Sequence, residues 1–253
     1  KSNASLCIPA CTLLLSCDRS EKTCYNMKFE KDGCVSMPLS EFYLMNDEQI
    51  ASLHEQLAEN FYDDDLYKTV FMDDRTRLKT LRYLFRHYVK ALKPYCHFLA
   101  DSAECRSVMV VWDSTLEQPL QYHLQLLWLN LKMIPMLAGL RSVKSIRHVI
   151  ECWDMFTSRW IQEFVQGDYL HLDLFFTAKE LRGTGIGSAM LKALLVHAQE
   201  IGKDVTMETH HAENLSLYYR AGFVLMSEIT HPDHDIHQYN LMRKCIREEN
   251  LNE

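Results

Sequence analysis

No apolar run in this 253-residue chain is long and uninterrupted enough to cross a bilayer. The stretch from Leu124 to Leu140 is broken by Asn130, Lys132 and Pro135 and falls short of the ~20 residues a spanning helix needs, so it reads as a buried helix. Residues 8–16 are apolar but shorter. Leu14-Leu15-Ser16-Cys17 resembles a lipoprotein cleavage box, yet no long basic and apolar leader stands before it, and Ser2-Asn3-Ala4 resembles a tag-derived scar. The chain also lacks a surplus of cations. Its 27 Lys and Arg face 34 Asp and Glu, a formal charge of −7, which argues against nucleic acid and makes a cationic substrate easier to accommodate than an anionic one. There is no C-x-x-C pair. Nine cysteines, an odd number with five of them in the first 34 residues, do not close a disulfide framework and point to reduced thiols in the cytoplasm. No internal repeat or low-complexity tract is visible.

What the chain does have is material for a core. Hydrophobic residues make up 47% and aromatics 11%, which excludes disorder and a disulfide-stapled miniprotein. Asn46 caps a segment with Ile50, Leu53, Leu57 and Phe61 at helical spacing, predicting an amphipathic helix over about 47–61. A second helical pattern runs from Leu78 to Leu92, ahead of Pro94. Stretches at about 95–100 and 106–113 suggest an antiparallel strand pair. Residues 115–166 are helical in character, broken by Pro135 and Gly139, with Trp128, Trp153 and Trp160 as core or cleft lining. The period then changes. Leu170, Leu172, Leu174 and Phe176 alternate with His171, Asp173, Phe175 and Thr177, predicting a strand with one apolar face. A helix from Ile186 to a stop at Gly202, a strand at Val205–Thr209, a short helix around 214–221 and strands at 223–226 and 238–242 follow. This order predicts an α/β fold in which the first two of these strands are parallel.

The chemistry concentrates in the loop Arg182-Gly183-Thr184-Gly185-Ile186-Gly187-Ser188 between the first of these strands and its helix. Glycines let a ligand approach the backbone, and the N–H groups of a helix N-terminus suit a phosphate. Neither common phosphate loop fits, because Ser188 stands where a third Rossmann glycine belongs and no Lys-Ser/Thr pair follows. Arg182 to Gly187 instead matches R/Q-x-x-G-x-G/A, the acyl-CoA pyrophosphate loop of the GCN5-related N-acetyltransferases (GNAT). Downstream, Met207-Glu208-Thr209, Asn214 and Tyr218-Tyr219-Arg220-Ala221-Gly222-Phe223 follow in the family's order. Residues 169–244 resemble the family specifically, and 40–113 only in element order.

The resemblance implies a GNAT-like mixed α/β fold. Its mostly antiparallel sheet contains a splayed parallel strand pair and carries helices on both faces, with a helical insertion at about 115–166 placed before the cofactor-loop strand. It implies one domain over 39–253 after an extension at 1–38. It implies acetyl-CoA as cosubstrate, held by backbone groups of Phe175, Phe176 and Thr177, by the loop from Arg182 through Gly183, Thr184, Gly185, Ile186 and Gly187 to Ser188, and by Asn214. The activity implied is N-acetylation of a primary amine by direct attack on the thioester. Tyr218 matches the family's proton donor, or is a packing tyrosine beside Gly222. Glu208 shares a strand face with Thr206 and His210 and is the candidate proton acceptor, or a structural carboxylate. His171 and Asp173 are the alternative bases. The run His231 to His237 reads as a polar hairpin loop, and no metal site is assigned. Asp63 to Asp65 is either a solvated turn or an attraction for a cationic amine. A catalytically silent acyl-CoA-binding or sensing module is the competing function, and a homodimer is left open.

Overall fold

The computed structural model describes residues 42–140 and 142–246. The cysteine-rich amino-terminal segment, the cleavage-box resemblance, the scar and the extension at 1–38 lie outside the described residues. Elements follow the order β1 (Tyr43–Leu44), α1 (Asp47–Asn60), α2 (Asp65–Val70), α3 (Asp74–Leu92), β2 (Cys96–Ala100) and β3 (Ser107–Asp113). Then come α4 (Pro119–Ala138), α5 (Val143–Met155), α6 (Ile161–Phe164), β4 (Tyr169–Thr177), α7 (Ile186–Glu200), β5 (Asp204–Thr209), α8 (Leu215–Arg220), β6 (Val224–Thr230) and β7 (His237–Arg243). The helix foreseen at 47–61 starts with a reciprocal cap, Asn46 Oδ1 accepting from Gln49 N–H while Gln49 Oε1 accepts from Asn46 N–H.

Seven strands form one sheet in the order β1-β2-β3-β4-β5-β7-β6. All pairs are antiparallel except β4 with β5, as their βαβ connection through α7 requires. Each face carries its own core. Phe98, Val108, Val110, Leu174 and Phe176 pack under α1, α2 and α3, with α4 and α5 alongside. On the opposite face Met109, Val111, Leu170, Leu172, Phe175, Val205, Met207 and Leu241 pack under α7 and α8.

Two expectations change. In β4, Leu174 and Phe176 lie opposite Leu170 and Leu172, not beside them. Val110 pairs with Leu174 and Val111 with Leu172, so Asp173 is an extra residue, a β-bulge that reverses the alternation. The other change concerns α4, which runs through Pro135 and ends at Gly139. It buries Tyr122, Leu129, Met133 and Met136 but leaves Leu120, Leu124, Leu127, Leu131 and Ile134 each more than half exposed, so it is not the buried helix expected. Its sequence is apolar on all sides, which leaves periodicity unable to tell which stripe meets the core.

Candidate functional site

The site starts where two parallel strands stop pairing. β4 and β5 are in register from Tyr169↔Asp204 to Leu172↔Met207, after which β4 continues to Thr177 against β3 and β5 to Thr209 against β7 without pairing with each other. The bulge at Asp173 sits at this parting, and the added twist of a bulged strand turns β4 away from its neighbour. Phe175 and Phe176 are both 2% exposed and anchored in opposite cores. Their side chains are therefore committed to packing, and what this segment offers a ligand is backbone. Thr177 ends the strand, its Oγ1 2.8 Å from Ser107 Oγ and its carbonyl accepting from Arg182 Nε at 3.2 Å.

The glycine loop lies directly beyond. Gly183 (φ +76°) and Gly185 (φ +88°) are in the left-handed region, and a Cβ on either would meet no atom within 4 Å. Gly185 is the N-cap of α7 and no side chain caps the helix. The N–H groups of Ile186, Gly187 and Ser188 thus have no intrahelical acceptor, and Ala189 is the first to bond back, to Gly185. Thr184 Oγ1 is taken by the Leu181 carbonyl at 2.7 Å. Arg182 Nη2 is buried without a hydrogen-bond partner, and burial pushes the guanidinium below its usual pKa. The uncapped N–H groups and the unpartnered Nη2 of Arg182 are donors suited to a phosphate oxygen.

Asn214, before α8, is 2% exposed and its Oδ1 also lacks a partner, an acceptor waiting for a donor. Between α7 and α8, Ser188, Leu191, Lys192, Leu195, Arg220 and Arg243 line a groove of about 390 Å³. The overall charge of −7 hides this basic patch, because a sum over a chain says nothing about where cations gather. The residues present fit an acyl-CoA.

On the helix-covered side of the parting, ionisable groups are packed together. Thr206 and Glu208 of β5 both meet the His171 ring and so share a face, as alternation predicts, and His210 follows just past the strand's end. Glu208 Oε2 lies 3.1 Å from His171 Nε2, and Glu208 Oε1 accepts from Trp160 Nε1 at 2.6 Å. His171 Nδ1 is 2.9 Å from Thr206 Oγ1. Burial opposes both charges, but each partner holds the other ionised: His171 is raised above its usual pKa and Glu208 lowered below its own. Asp173 differs. Burial pushes it up to about 7 although Tyr88 O–H reaches both its oxygens, at 2.8 and 3.0 Å.

A second pair joins the segment after β5 to the first helical layer. Asp64 caps α2 through Oδ1, bonding Leu66 N–H at 3.0 Å, and its Oδ2 lies 2.9 Å from His211 Nε2. Asp64 is therefore a buried cap, neither a solvated turn nor a surface lure for an amine. Its neighbour His210 is driven by burial down to about 4 and stays neutral. Tyr218, fully buried, packs against Phe223 with ring centroids 6.0 Å apart. Glu208 is 1% exposed beneath Trp160. Trp160 as the partner of Glu208, Tyr88 as that of Asp173, and the cations of the α7–α8 groove were not singled out from sequence. Each sits on a helix or strand whose pattern reads equally as packing or solvent exposure.

Residues 161–238 match the family model described as "Acetyltransferase (GNAT) domain". Among solved structures, the fold is similar to that of histone acetyltransferase HPA2 and related acetyltransferase from Corynebacterium glutamicum. The two are 15% identical, 81% of this chain and 96% of that one are covered, and the TM-score is 0.51. Arylalkylamine N-acetyltransferase 2 from Aedes aegypti aligns at 12% identity over 81% of this chain and 98% of its own, with a TM-score of 0.49. Likeness at such identities concerns the fold alone. A search of curated protein sequences finds no match.

Proposed function

We propose that this chain, a member of the GNAT superfamily, is an acyl-CoA-dependent N-acetyltransferase that acetylates a primary amine by direct attack. The observation that carries the proposal is the unpaired edge of β4 after Leu172 opening beside the uncapped start of α7. A strand edge and a helix terminus offer, in sequence, the backbone partners that an extended amide chain and its pyrophosphate need. Backbone groups of Phe175 to Thr177 would hold the pantetheine, the N–H groups of residues 183–188 the pyrophosphate, and Asn214 Oδ1 an amide N–H.

When bound, acetyl-CoA supplies the thioester. The protein must then hold an amine, take up its proton and return one to the departing thiolate. Glu208 is kept ionised by His171, so it attracts an ammonium; with its pKa held down it passes the proton onward to water instead of retaining it. The phenol of Tyr218 is a suitable acid for a thiolate. Access to Glu208 requires Trp160, and the segment between α5 and β4 that carries it, to move aside. Helices α4 to α6 thus stand as an insertion that gates the acceptor side. Cys105, Cys152 and Cys245 are free buried thiols, which suits the cytoplasm. No helix of the described residues is long and apolar enough to cross a membrane.

A second reading is supported by the burial of Glu208 and Tyr218: a module that binds acyl-CoA without turning it over. Thermal unfolding with acetyl-CoA, followed by free-thiol release across a panel of amines, separates the two. A shift with release from one amine class supports the enzyme, and a shift with no release from any amine supports the silent module. No shift at saturating acetyl-CoA removes both.

A further inference from the structure

On the side of the molecule where α5 meets the β6–β7 hairpin, ligand-type side chains converge from segments about 80 residues apart in sequence. His148 and Cys152 stand at i and i+4 on one face of α5. His231 opens the hairpin loop, where its N–H bonds the Ile236 carbonyl at 2.9 Å. One donor atom from each of His148, Cys152 and His231 lies within 4.8 Å of those of the other two. His234 completes a ring of three imidazoles, its centroid 4.7 Å from His231 and 5.3 Å from His148. Cys152 is fully buried and His231 is 7% exposed.

We propose that His148, Cys152 and His231 form a zinc-class metal site that clamps the helical insertion to the β6–β7 hairpin, with His234 beside the fourth position. Cys152 Sγ lies 3.7 Å from His148 Nε2. Tetrahedral zinc, with bonds of about 2.3 Å to sulfur and about 2.0 Å to nitrogen, separates two such ligands by about 3.5 Å. A mixed sulfur and imidazole set selects zinc over hard cations that prefer oxygen. His231 Nδ1 accepts from Asp233 N–H at 3.1 Å, so ligation by this ring exchanges that bond for the metal or moves the ring proton to Nδ1. Ligation forms the sulfur–metal bond, and the thiol proton leaves to solvent. No electron is transferred. The His148 Nε2 contact with the Thr69 carbonyl, 2.8 Å, is exchanged for the metal, or the ring turns to keep it through its other nitrogen. The sequence showed only the hairpin half of this set, and His231 to His237 by itself does not close around an ion.

The test uses the full, tag-free chain with zinc(II) alone and with cobalt(II) as a spectroscopic substitute. Because five cysteines lie in the first 34 residues, the decisive reading is the effect of variants and not uptake alone. Wild type should bind one zinc that Cys152→Ser and His231→Gln each weaken by at least about tenfold, the loss that even a supporting partner of a ligand brings. The cobalt complex should show a sulfur-to-metal absorption that Cys152→Ser removes. Zinc at ~100 times its dissociation constant should raise Tm by roughly 5 °C in wild type and not in the variants. Should Cys152→Ser fail to fold, His148→Gln takes its place in all three measurements. Zinc affinity and cobalt spectra identical in wild type and folded variants, or no zinc bound by wild type at micromolar concentration, would overturn the site.

Discussion

Asp173→Asn should stabilise the protein at neutral and alkaline pH and weaken it by about 1 kcal/mol near pH 4.5. Asp173 is buried on the bulge of β4, and burial lifts its pKa from 3.8 to about 7. An acid whose folded pKa is raised costs stability as pH climbs from the unfolded value to the folded one, because the unfolded chain releases its proton first. Three units at 1.36 kcal/mol each amount to about 4 kcal/mol, reached at about pH 7 and constant above it. Asn keeps an oxygen for Tyr88 O–H and removes the titration, but introduces amide N–H groups whose poor pairing costs ~2 kcal/mol. A net gain of about 2 kcal/mol at pH 8 corresponds to roughly 4–8 °C in Tm for a chain of this size. The assay is thermal unfolding of both proteins from pH 4.5 to 8.5. The difference between their Tm values should grow between the two pKa values and then flatten. A difference that stays level across this range would refute a buried, largely neutral Asp173. The same variant should retain turnover within a few-fold if Glu208, and not Asp173, handles the amine proton.

Glu208→Gln should cut turnover most at low pH and recover partly as the amine loses its own proton, read from pH–rate profiles; parallel profiles would make Glu208 structural. In stability, Glu208 contributes fully above its unfolded value of 4.5 and His171 fully below its unfolded value of 6.5. The variant should therefore lose most between those limits, and urea unfolding at pH 5.5 and 8.5 checks this. Tyr218→Phe keeps the ring against Phe223, so acetyl-CoA affinity should persist while turnover falls ~100-fold, roughly 2.7 kcal/mol of barrier; wild-type turnover would return Tyr218 to packing. Gly185→Val should abolish the acetyl-CoA thermal shift. Gly202→Val, at φ +71° beyond the other end of α7, imposes similar backbone strain and should keep the shift, so loss in both would point to strain alone.

Much of the fold was legible along the chain because its signals are local. The change of period at Leu170, the glycines of residues 183–187 and the stop at Gly202 each act within a few residues, and the parallel β4–β5 pair follows from a single strand-helix-strand connection. The glycine turn before α7 and the shared face of Thr206 and Glu208 needed only spacing and alternation. Tertiary structure decided what depends on partners distant in sequence. The pairing of β3 with β4 inserted the bulge at Asp173, which reversed the faces of Leu174 and Phe176 and ended the pairing with β5. Packing chose which stripe of α4 meets the core, because its apolar residues lie on every side of the helix and set no single face. Folding also placed Trp160 over Glu208, joined Asp64 to His211 across 147 residues, and brought His148 and Cys152 to His231. Alternation and helical period place a side chain relative to its own element, whereas a site is made by elements meeting, and that meeting is set by the whole core.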